Sequence, residues 1–195
     1  MSRARRRRGW LSAAILAVAV VAPGTIWAGV YADVQALNAQ LLAHDSATAV
    51  LQQWCADHRL AEPPVIVARR QPAEKPADAR IRALLHAAPG EEIRYRRVAL
   101  ACGAHVLSNA DNWYRPGRLT AAMNAELDST DHPFGLVVKS LGFHRVRLSA
   151  ELLVAQDSTA IPADLLRHRA VLETPDGEPF SLVVETYTAQ VLDGE

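Results

Sequence analysis

Residues 179–192 read PFSLVVETYTAQVL, and this stretch decides how the rest of the chain is interpreted. Its apolar and β-branched residues alternate with a period of two, which predicts one long β-strand. Glu185 is the single acidic residue within it. Alternation places Glu185 on the same face as Val183 and Tyr187, so we expect a half-buried carboxylate rather than a solvated one.

The segments that precede this strand predict an antiparallel sheet. Strand-like runs lie at residues 65–68, 92–102, 105–114, 144–152 and 166–174, and PDGE at 175–178 is typical of a tight turn. Helical patterns lie at residues 33–44, 47–58, 79–87, 119–127 and 132–142. Asp45 and Ser46 are typical N-cap residues for the second of these helices, and Thr120 is one for the fourth. The sequence therefore predicts an α+β domain with about six antiparallel strands.

The first 32 residues have the pattern of an export signal. Arginines open the segment, an apolar run follows at residues 11–22, and Ala28 or Ala32 suits the last position before a cleavage site. The alternative is an uncleaved membrane anchor formed by the same apolar run. Both interpretations place residues 33–195, as a single domain, in the periplasm or outside the cell, with membrane contact only through the N-terminal segment.

Charge and cysteine usage limit the partners that we expect. The chain has 21 basic and 21 acidic residues, but five of the arginines lie within the first eight positions. The remainder is acidic, which argues against nucleic acid as the main partner. Cys55 and Cys102 are the only cysteines, and they either pair in an oxidising compartment or are buried thiols. The sequence has no metal-binding or cofactor-binding motif, so we expect no metal ion and no cofactor. We also expect the protein to be a monomer.

Arginines interrupt two of the predicted strands, at Arg94, Arg96 and Arg97 and at Arg167 and Arg169. Alternation places Arg94 and Arg96 on one face and Arg97 on the other. An arginine on the apolar face needs a partner, because burial of an unpaired charge is costly, and Glu185 is a candidate. Such a pair is either structural or the polar end of a pocket for a small anion.

Three stretches resemble the bacterial chorismate lyases and their relatives, over roughly residues 94–188. They read RRVALACGAHVLSNADNWY (96–114), LTAAMNAELDSTDHPFGLVV (119–138) and LRHRAVLETPDGEPFSLVVETY (166–187). Pro133 and Gly135 fall where the family has its turn after a helix. The resemblance implies a six-stranded antiparallel sheet with helices on one side. A similar fold serves as the effector-binding domain of some bacterial transcription regulators.

The resemblance also implies a function, the elimination of pyruvate from chorismate to give 4-hydroxybenzoate, or a related reaction. It places Glu185 at the family's active-site glutamate, as a catalytic acid–base, and Arg97 at the substrate-binding arginine. Further substrate-binding candidates are Asn109 and Ala110, through backbone N–H groups, and Arg167 and Arg169.

Two alternatives remain open at this point. One is an exported module that binds an aromatic or other small carboxylate without turnover, and the other is an interaction domain with a closed pocket. A void between Arg97 and Glu185 that is large enough for a six-membered ring would support catalysis or binding.

Overall fold

A six-stranded antiparallel sheet is the centre of the computed structural model, which describes residues 23–156, 158 and 160–194. The strands are β1 (Ile66–Arg70), β2 (Arg94–Cys102), β3 (His105–Tyr114), β4 (His144–Leu152), β5 (Asp164–Glu173) and β6 (Pro179–Thr188). Their order across the sheet is β1-β2-β3-β6-β5-β4. The predicted α+β fold with about six antiparallel strands is therefore confirmed.

The stretch that decides the fold lies in the middle of the sheet, because β6 pairs with β3 on one side and with β5 on the other. The prediction of one strand through Leu192 is wrong in its last four residues, since Ala189–Leu192 form a 3-10 turn. The turn begins where the Thr188 hydroxyl accepts a hydrogen bond from the Gln190 N–H. The carbonyl of Val191 then accepts a hydrogen bond of 2.9 Å from the Trp54 indole N–H.

The described residues form five α-helices, and they do not all lie on one side. They are α1 (Pro23–Ala43), α2 (Ala47–Asp57), α3 (Ala79–Leu84), α4 (Ala121–Ser129) and α5 (Phe134–Val137). Four of them, α1, α2, α4 and α5, pack on one face of the sheet. The remaining helix, α3, packs Ile81 and its C-cap residue Leu85 against Trp113 and Leu182 on the other face. The expectation of helices on one side is thus incomplete.

The two faces of the sheet differ in what covers them. The covered face lies under α1, α2, α4 and α5 and presents Arg96, Val98, Ala110, Asn112, Val183 and Glu185. The open face presents Arg97, Asn109, Asp111, Val184, Thr186, Arg167 and Arg169, and α3 covers only one end of it.

Two helices begin at the residues that the sequence indicates. The Ser46 hydroxyl accepts a hydrogen bond of 3.2 Å from the Ala49 N–H, and the Thr120 hydroxyl accepts one of 3.1 Å from the Met123 N–H. These are N-caps, which satisfy amide groups that have no partner within the helix.

The first helix starts earlier than the sequence predicts. The periodic pattern begins at residue 33, whereas α1 begins at Pro23 and runs through both proposed cleavage positions, Ala28 and Ala32. The apolar run of the predicted export signal, residues 11–22, lies outside the described residues. Within the described part of the chain, no helix combines the length and the apolar character needed to cross a membrane.

A disulfide joins Cys55 in α2 to Cys102 at the end of β2, with 6.4 Å between the Cα atoms. Both cysteines are fully buried. Of the two alternatives that the sequence left open, the structure has the paired form. The bond fixes α2 to the end of β2, within the apolar core of the covered face.

Candidate functional site

Cross-strand register decides which polar side chains meet on the covered face. Arg96 of β2 lies opposite Asn112 of β3, and Ala110 of β3 lies opposite Glu185 of β6. Because side chains alternate along each strand, all four project toward the helices. The predicted position of Glu185 on the face of Val183 is confirmed, and Glu185 is fully buried rather than half-buried, at 6% exposure.

The expectation that Arg97 and Glu185 face a common pocket is wrong. Arg97 lies opposite Asp111 and projects from the open face, so the sheet itself separates it from Glu185. The physical reason is the two-residue period of a strand, in which neighbours in sequence face opposite sides. The arginine of β2 that shares a face with Glu185 is its neighbour Arg96.

Glu185 instead pairs with Arg145 of β4, whose Nη2 donates to Glu185 Oε2. The side chains of the pair are only 4% and 8% exposed. The Tyr187 hydroxyl donates to the same oxygen at 3.2 Å, and burial together with Glu185 raises the pKa of Tyr187 well above its usual value. Burial lowers the pKa of Arg145, but the charge of Glu185, the hydrogen bond to it and the nearby Tyr187 and Asp45 together outweigh burial and raise the pKa. The result is a buried, neutralised pair.

His168 of β5 lies directly opposite Glu185 and connects this pair to α1. Its Nε2 is 2.8 Å from Oδ1 of Asn38, and its ring packs edge-to-face on Tyr187. Burial lowers the pKa of His168 to about 4, so the ring is uncharged near neutral pH. With Nε2 carrying the proton, the uncharged ring donates to Asn38.

Arg96 is the buried charge on the covered face that lacks a counter-charge. It is 8% exposed, and its Nη2 donates to the carbonyl of His132 at 3.2 Å. Its Nε has no hydrogen-bond partner, and among the described residues it forms no ion pair. Burial lowers the pKa of its guanidinium, and the charge of nearby Arg70 acts in the same direction. Keeping this guanidinium charged and buried without a counter-charge therefore lowers the stability of the folded protein.

A second unpaired donor lies across the strand pair from Arg96. Asn112 is 5% exposed, and its Oδ1 accepts a hydrogen bond of 2.6 Å from the Ser181 hydroxyl. Its Nδ2 has no partner. Two buried donors without acceptors therefore lie on neighbouring strands of the same face. Buried donors in proteins normally have a partner, so we infer that an acceptor binds here.

Both donors line one cavity of about 40 Å³ under α2 and α5. Its other walls are the Arg145–Glu185 pair, loop and helix residues Asp45–Thr48, and the apolar side chains of Val98, Leu100, Phe134, Phe143, Leu172 and Val183. Protein cavities that hold benzene are on the order of 150 Å³. The cavity is thus too small for a six-membered ring but has room for about three water-sized groups, each needing ~10–15 Å³.

Four of the six predicted site residues lie elsewhere, in a groove of about 560 Å³ on the open face. They are Arg97, Asn109, Arg167 and Arg169. Arg97 Nη1 is 3.3 Å from Asp111 Oδ1, and its Nε donates to Gln71 at 2.9 Å, while 41% of its side chain is exposed. An exposed arginine with these partners is already stabilised by water and by its ion pair, so its presence does not indicate a ligand site.

The backbone groups of Asn109 and Ala110 do not complete a pocket, contrary to the prediction. Both residues lie in β3, which pairs with β2 on one side and β6 on the other. In a central strand the ladder takes up the N–H groups, so none is left for a ligand. Ala110 contributes its small side chain to the wall of the covered-face cavity.

Sequence reasoning missed Arg96, Asn112 and Arg145. Alternation puts Arg96 on the face of Val98, but only the pairing of β2 with β3 and of β3 with β6 shows that Glu185 lies on that face too. Nothing in the sequence distinguishes Arg145 from Arg147 in β4. Within residues 23–156, 158 and 160–194, no group of three histidine, cysteine or acidic side chains is placed to hold a metal ion.

Comparison with solved structures shows the fold. PhnF from Mycobacterium smegmatis has a TM-score of 0.50 and 13% identity, over 75% of this chain and 64% of that one. Its effector domain, solved alone, gives 0.47 and 12%, over 64% and 81%. YydK from Bacillus subtilis, a possible transcriptional regulator, gives 0.45 and 13%, over 65% of this chain and 59% of its own length. At this identity the likeness concerns the fold alone.

Sequence comparison gives the family. No protein-family model matches the chain, so membership of the chorismate lyases has no support from that direction. A protein of Sinorhizobium fredii strain NGR234 is 49% identical over 180 residues, which cover 83% of this chain and 76% of that protein. The chain therefore belongs to the family of that relative, the uncharacterized protein y4mC.

Proposed function

We propose that this domain binds a small organic anion, with an acidic headgroup held between Arg96 and Asn112 in the covered-face cavity. The observation that carries the proposal is the buried Arg96 guanidinium, which has neither a counter-charge nor a partner for its Nε among the described residues. A buried cation without a partner is costly, and a bound anion removes that cost.

The charges around the cavity favour an anion over a neutral ligand. Four charged side chains line the cavity: Asp45, Arg96, Arg145 and Glu185. Arg145 neutralises Glu185, and the Asp45 side chain is 51% exposed and screened by water, so Arg96 is the one lining charge that is buried without a buried counter-charge. Asn112 adds a neutral donor beside it. A carboxylate accepts hydrogen bonds through both oxygens and suits two donors that come from neighbouring strands.

The fold offers support at the level of architecture only. PhnF, which shares the fold, has an effector domain, and such a domain works by binding a ligand. The present site is argued from its own residues, because a shared fold does not transfer a function.

Titration with simple carboxylates tests the proposal. Acetate, pyruvate and benzoate should each be measured by calorimetry and by thermal stabilisation, which reports binding to the folded state. Arg96→Met should weaken binding by roughly 10–100-fold, because a hydrogen bond to a charged group contributes about 1.5–3 kcal/mol. The matched control is Arg97→Met, one residue away on the open face, which should bind as the wild type does.

Two results would overturn the proposal. One is the absence of saturable binding by every carboxylate tested. The other is an equal loss of affinity in the Arg96→Met and Arg97→Met variants, which would mean that general charge rather than the covered-face cavity attracts the anion.

Lyase activity is a second candidate; the placement of Glu185 favours it, and it requires the cavity to widen, because about 40 Å³ is too small for the ring of chorismate. Arg145 and Tyr187 both donate to Oε2, so Oε1 accepts neither bond, and Glu185 lines the cavity. A carboxylate in this position could exchange a proton with a bound substrate. Incubation of the purified protein with chorismate should then release 4-hydroxybenzoate and pyruvate, and Glu185→Gln should abolish the release. Absence of product over hours at high protein concentration would exclude this candidate.

We further propose that the domain acts outside the cytoplasm. The arginine-rich and apolar start of the sequence supports this. The Cys55–Cys102 disulfide supports it as well, because such bonds persist in oxidising compartments. Labelling of free thiols in fractionated cells should find Cys55 and Cys102 blocked and the protein outside the cytoplasm. Reactive thiols in a cytoplasmic pool would contradict the proposal.

A further inference from the structure

An apolar groove of about 330 Å³ adjoins the covered-face cavity between α2 and α5. Its walls are Ser46, Thr48, Ala49, Gln52, Val65, Ile66, Pro133, Gly135, Leu136, Lys139 and Phe143. Val65 and Leu136 are 48% and 52% exposed, which makes them two of the few large apolar side chains in the described residues that face solvent. We call this feature the α2–α5 groove.

The groove and the cavity adjoin each other, because four residues line both: Ser46, Thr48, Gly135 and Phe143. At this junction Gly135 has no side chain, and a Cβ built there would be 3.2 Å from Thr48 Oγ1. A side chain at this position would press against Thr48, so Gly135 keeps the boundary between the two spaces free of a further side chain.

The two adjoining spaces differ in size and polarity. The inner one ends at the unpaired donors of Arg96 and Asn112 and is too small for more than a headgroup. The outer one is larger and mainly apolar, and none of the residues that line it has a buried side-chain donor without a partner. A ligand that satisfies both spaces must have a charged end and an apolar body.

We propose that the ligand is an elongated carboxylate, whose headgroup lies between Arg96 and Asn112 and whose alkyl chain lies in the α2–α5 groove. This rests on the proposed function and adds the chemical class of the ligand. Burial of the chain removes apolar surface of Val65 and Leu136 from water, as well as that of the ligand itself. Straight-chain monocarboxylates such as octanoate are the simplest members of this class.

A chain-length series tests the class. Acetate, butyrate, hexanoate and octanoate, all kept below micelle-forming concentrations, are titrated into the full-length protein by calorimetry. Affinity should rise about fourfold for each methylene group that enters the groove, as expected from about 0.8 kcal/mol per buried methylene. Octanol, which has the chain without the charge, should bind much more weakly than octanoate.

Leu136→Ser separates the groove from the headgroup site. Leu136 is half exposed, so its replacement should leave the fold intact, and it should lower octanoate affinity by roughly tenfold while acetate affinity stays unchanged. The matched control is Val146→Ser, because Val146 is 42% exposed on β4, outside the groove. This control should bind the whole series as the wild type does.

The outcomes distinguish the two proposals. Equal affinity for acetate and octanoate, with no effect of Leu136→Ser, would overturn the elongated ligand and leave the anion site standing. Failure of every carboxylate to bind would overturn the anion site itself. Loss of octanoate binding in both Leu136→Ser and Val146→Ser would show adsorption to exposed apolar surface, and would also overturn the elongated ligand.

Discussion

Both faces of the sheet carry charged residues, but the two faces accommodate them in opposite ways. On the open face Arg97 shares Asp111 with Lys75 and Tyr95, and water reaches the exposed side chains of Arg97 and Lys75. On the covered face Arg145 and Glu185 are sealed under helices. Water stabilises an exposed charge, whereas a buried charge needs a counter-charge or hydrogen bonds from the residues around it.

This difference teaches where to look for function. The larger groove is on the open face, yet its charges already have partners or solvent. The smaller cavity is on the covered face and contains the two donors that lack acceptors. Unmatched buried groups are therefore a better guide to the candidate site than the volume of a pocket.

Breaking the buried ion pair should have the largest effect. Glu185→Gln keeps the shape of the side chain but leaves Arg145 buried without a counter-charge, so the free energy of unfolding should fall by about 3–5 kcal/mol. Urea denaturation near neutral pH measures it. The matched change on the open side is Glu151→Gln, which removes an exposed pair with Arg167 and should cost less than about 0.5 kcal/mol.

A double variant sharpens this test. Replacing Arg145 by Met and Glu185 by Leu removes both charges together, and it should recover most of the stability that Glu185→Gln loses. If the double variant is as unstable as the single one, the loss came from packing rather than from the unpaired charge.

Protonation of His168 on the covered face should lower the free energy of unfolding in acid. Its pKa is about 4 in the folded protein and near 6.5 when unfolded, so the folded state disfavours the proton. The stabilising contribution is complete above pH 6.5 and is lost as the pH falls through 4, by about 3 kcal/mol in total. His168→Gln should lack this component when its pH profile is subtracted from that of the wild type. The control His132→Gln, at an exposed position, should retain it.

A smaller loss is expected from Tyr187→Phe. The hydroxyl of Tyr187 is one of two donors to Glu185 Oε2, and its removal leaves a buried carboxylate with fewer hydrogen bonds. The free energy of unfolding should fall by about 1.5–3 kcal/mol. A change of under half of that in urea denaturation would mean that Arg145 alone holds Glu185.

A substitution on the open face should lower the free energy of unfolding least. Arg97→Ala removes the contact with Asp111, and because 41% of the arginine side chain is exposed the loss should be about 0.2–1 kcal/mol. The difference from wild type should shrink at high salt, since salt screens exposed charges. A loss as large as that of Glu185→Gln would remove the contrast between the two faces.

Most of the fold could be predicted from the sequence, because strands and helices depend on local patterns. The cap residues Ser46 and Thr120, the turn before β6 and the face of Glu185 all follow from such patterns. The start of α1 could not be predicted, since the residues before its periodic part have the composition of an export signal.

The candidate site was predicted only in part, and the reason is register. Alternation along β2 separates Arg96 from Arg97, but it does not say which of them shares a face with Glu185, because β2 and β6 are distant in sequence and are not neighbours in the sheet. That depends on the pairing of β2 with β3 and of β3 with β6, which brings Ala110 between Val98 and Glu185. Arg145 comes from the edge strand β4, and only tertiary packing buries it.

The central position of β6 also sets the order in which the domain can be completed. The strands β1, β2 and β3 form one half of the sheet and β4 and β5 the other, and β6 alone joins the halves. Because β6 is the last of the six strands in chain order, the ribosome makes it after the other five, and the two halves cannot join before then. Until β6 is made, each half of the sheet therefore has an unpaired edge and the core under the helices is incomplete.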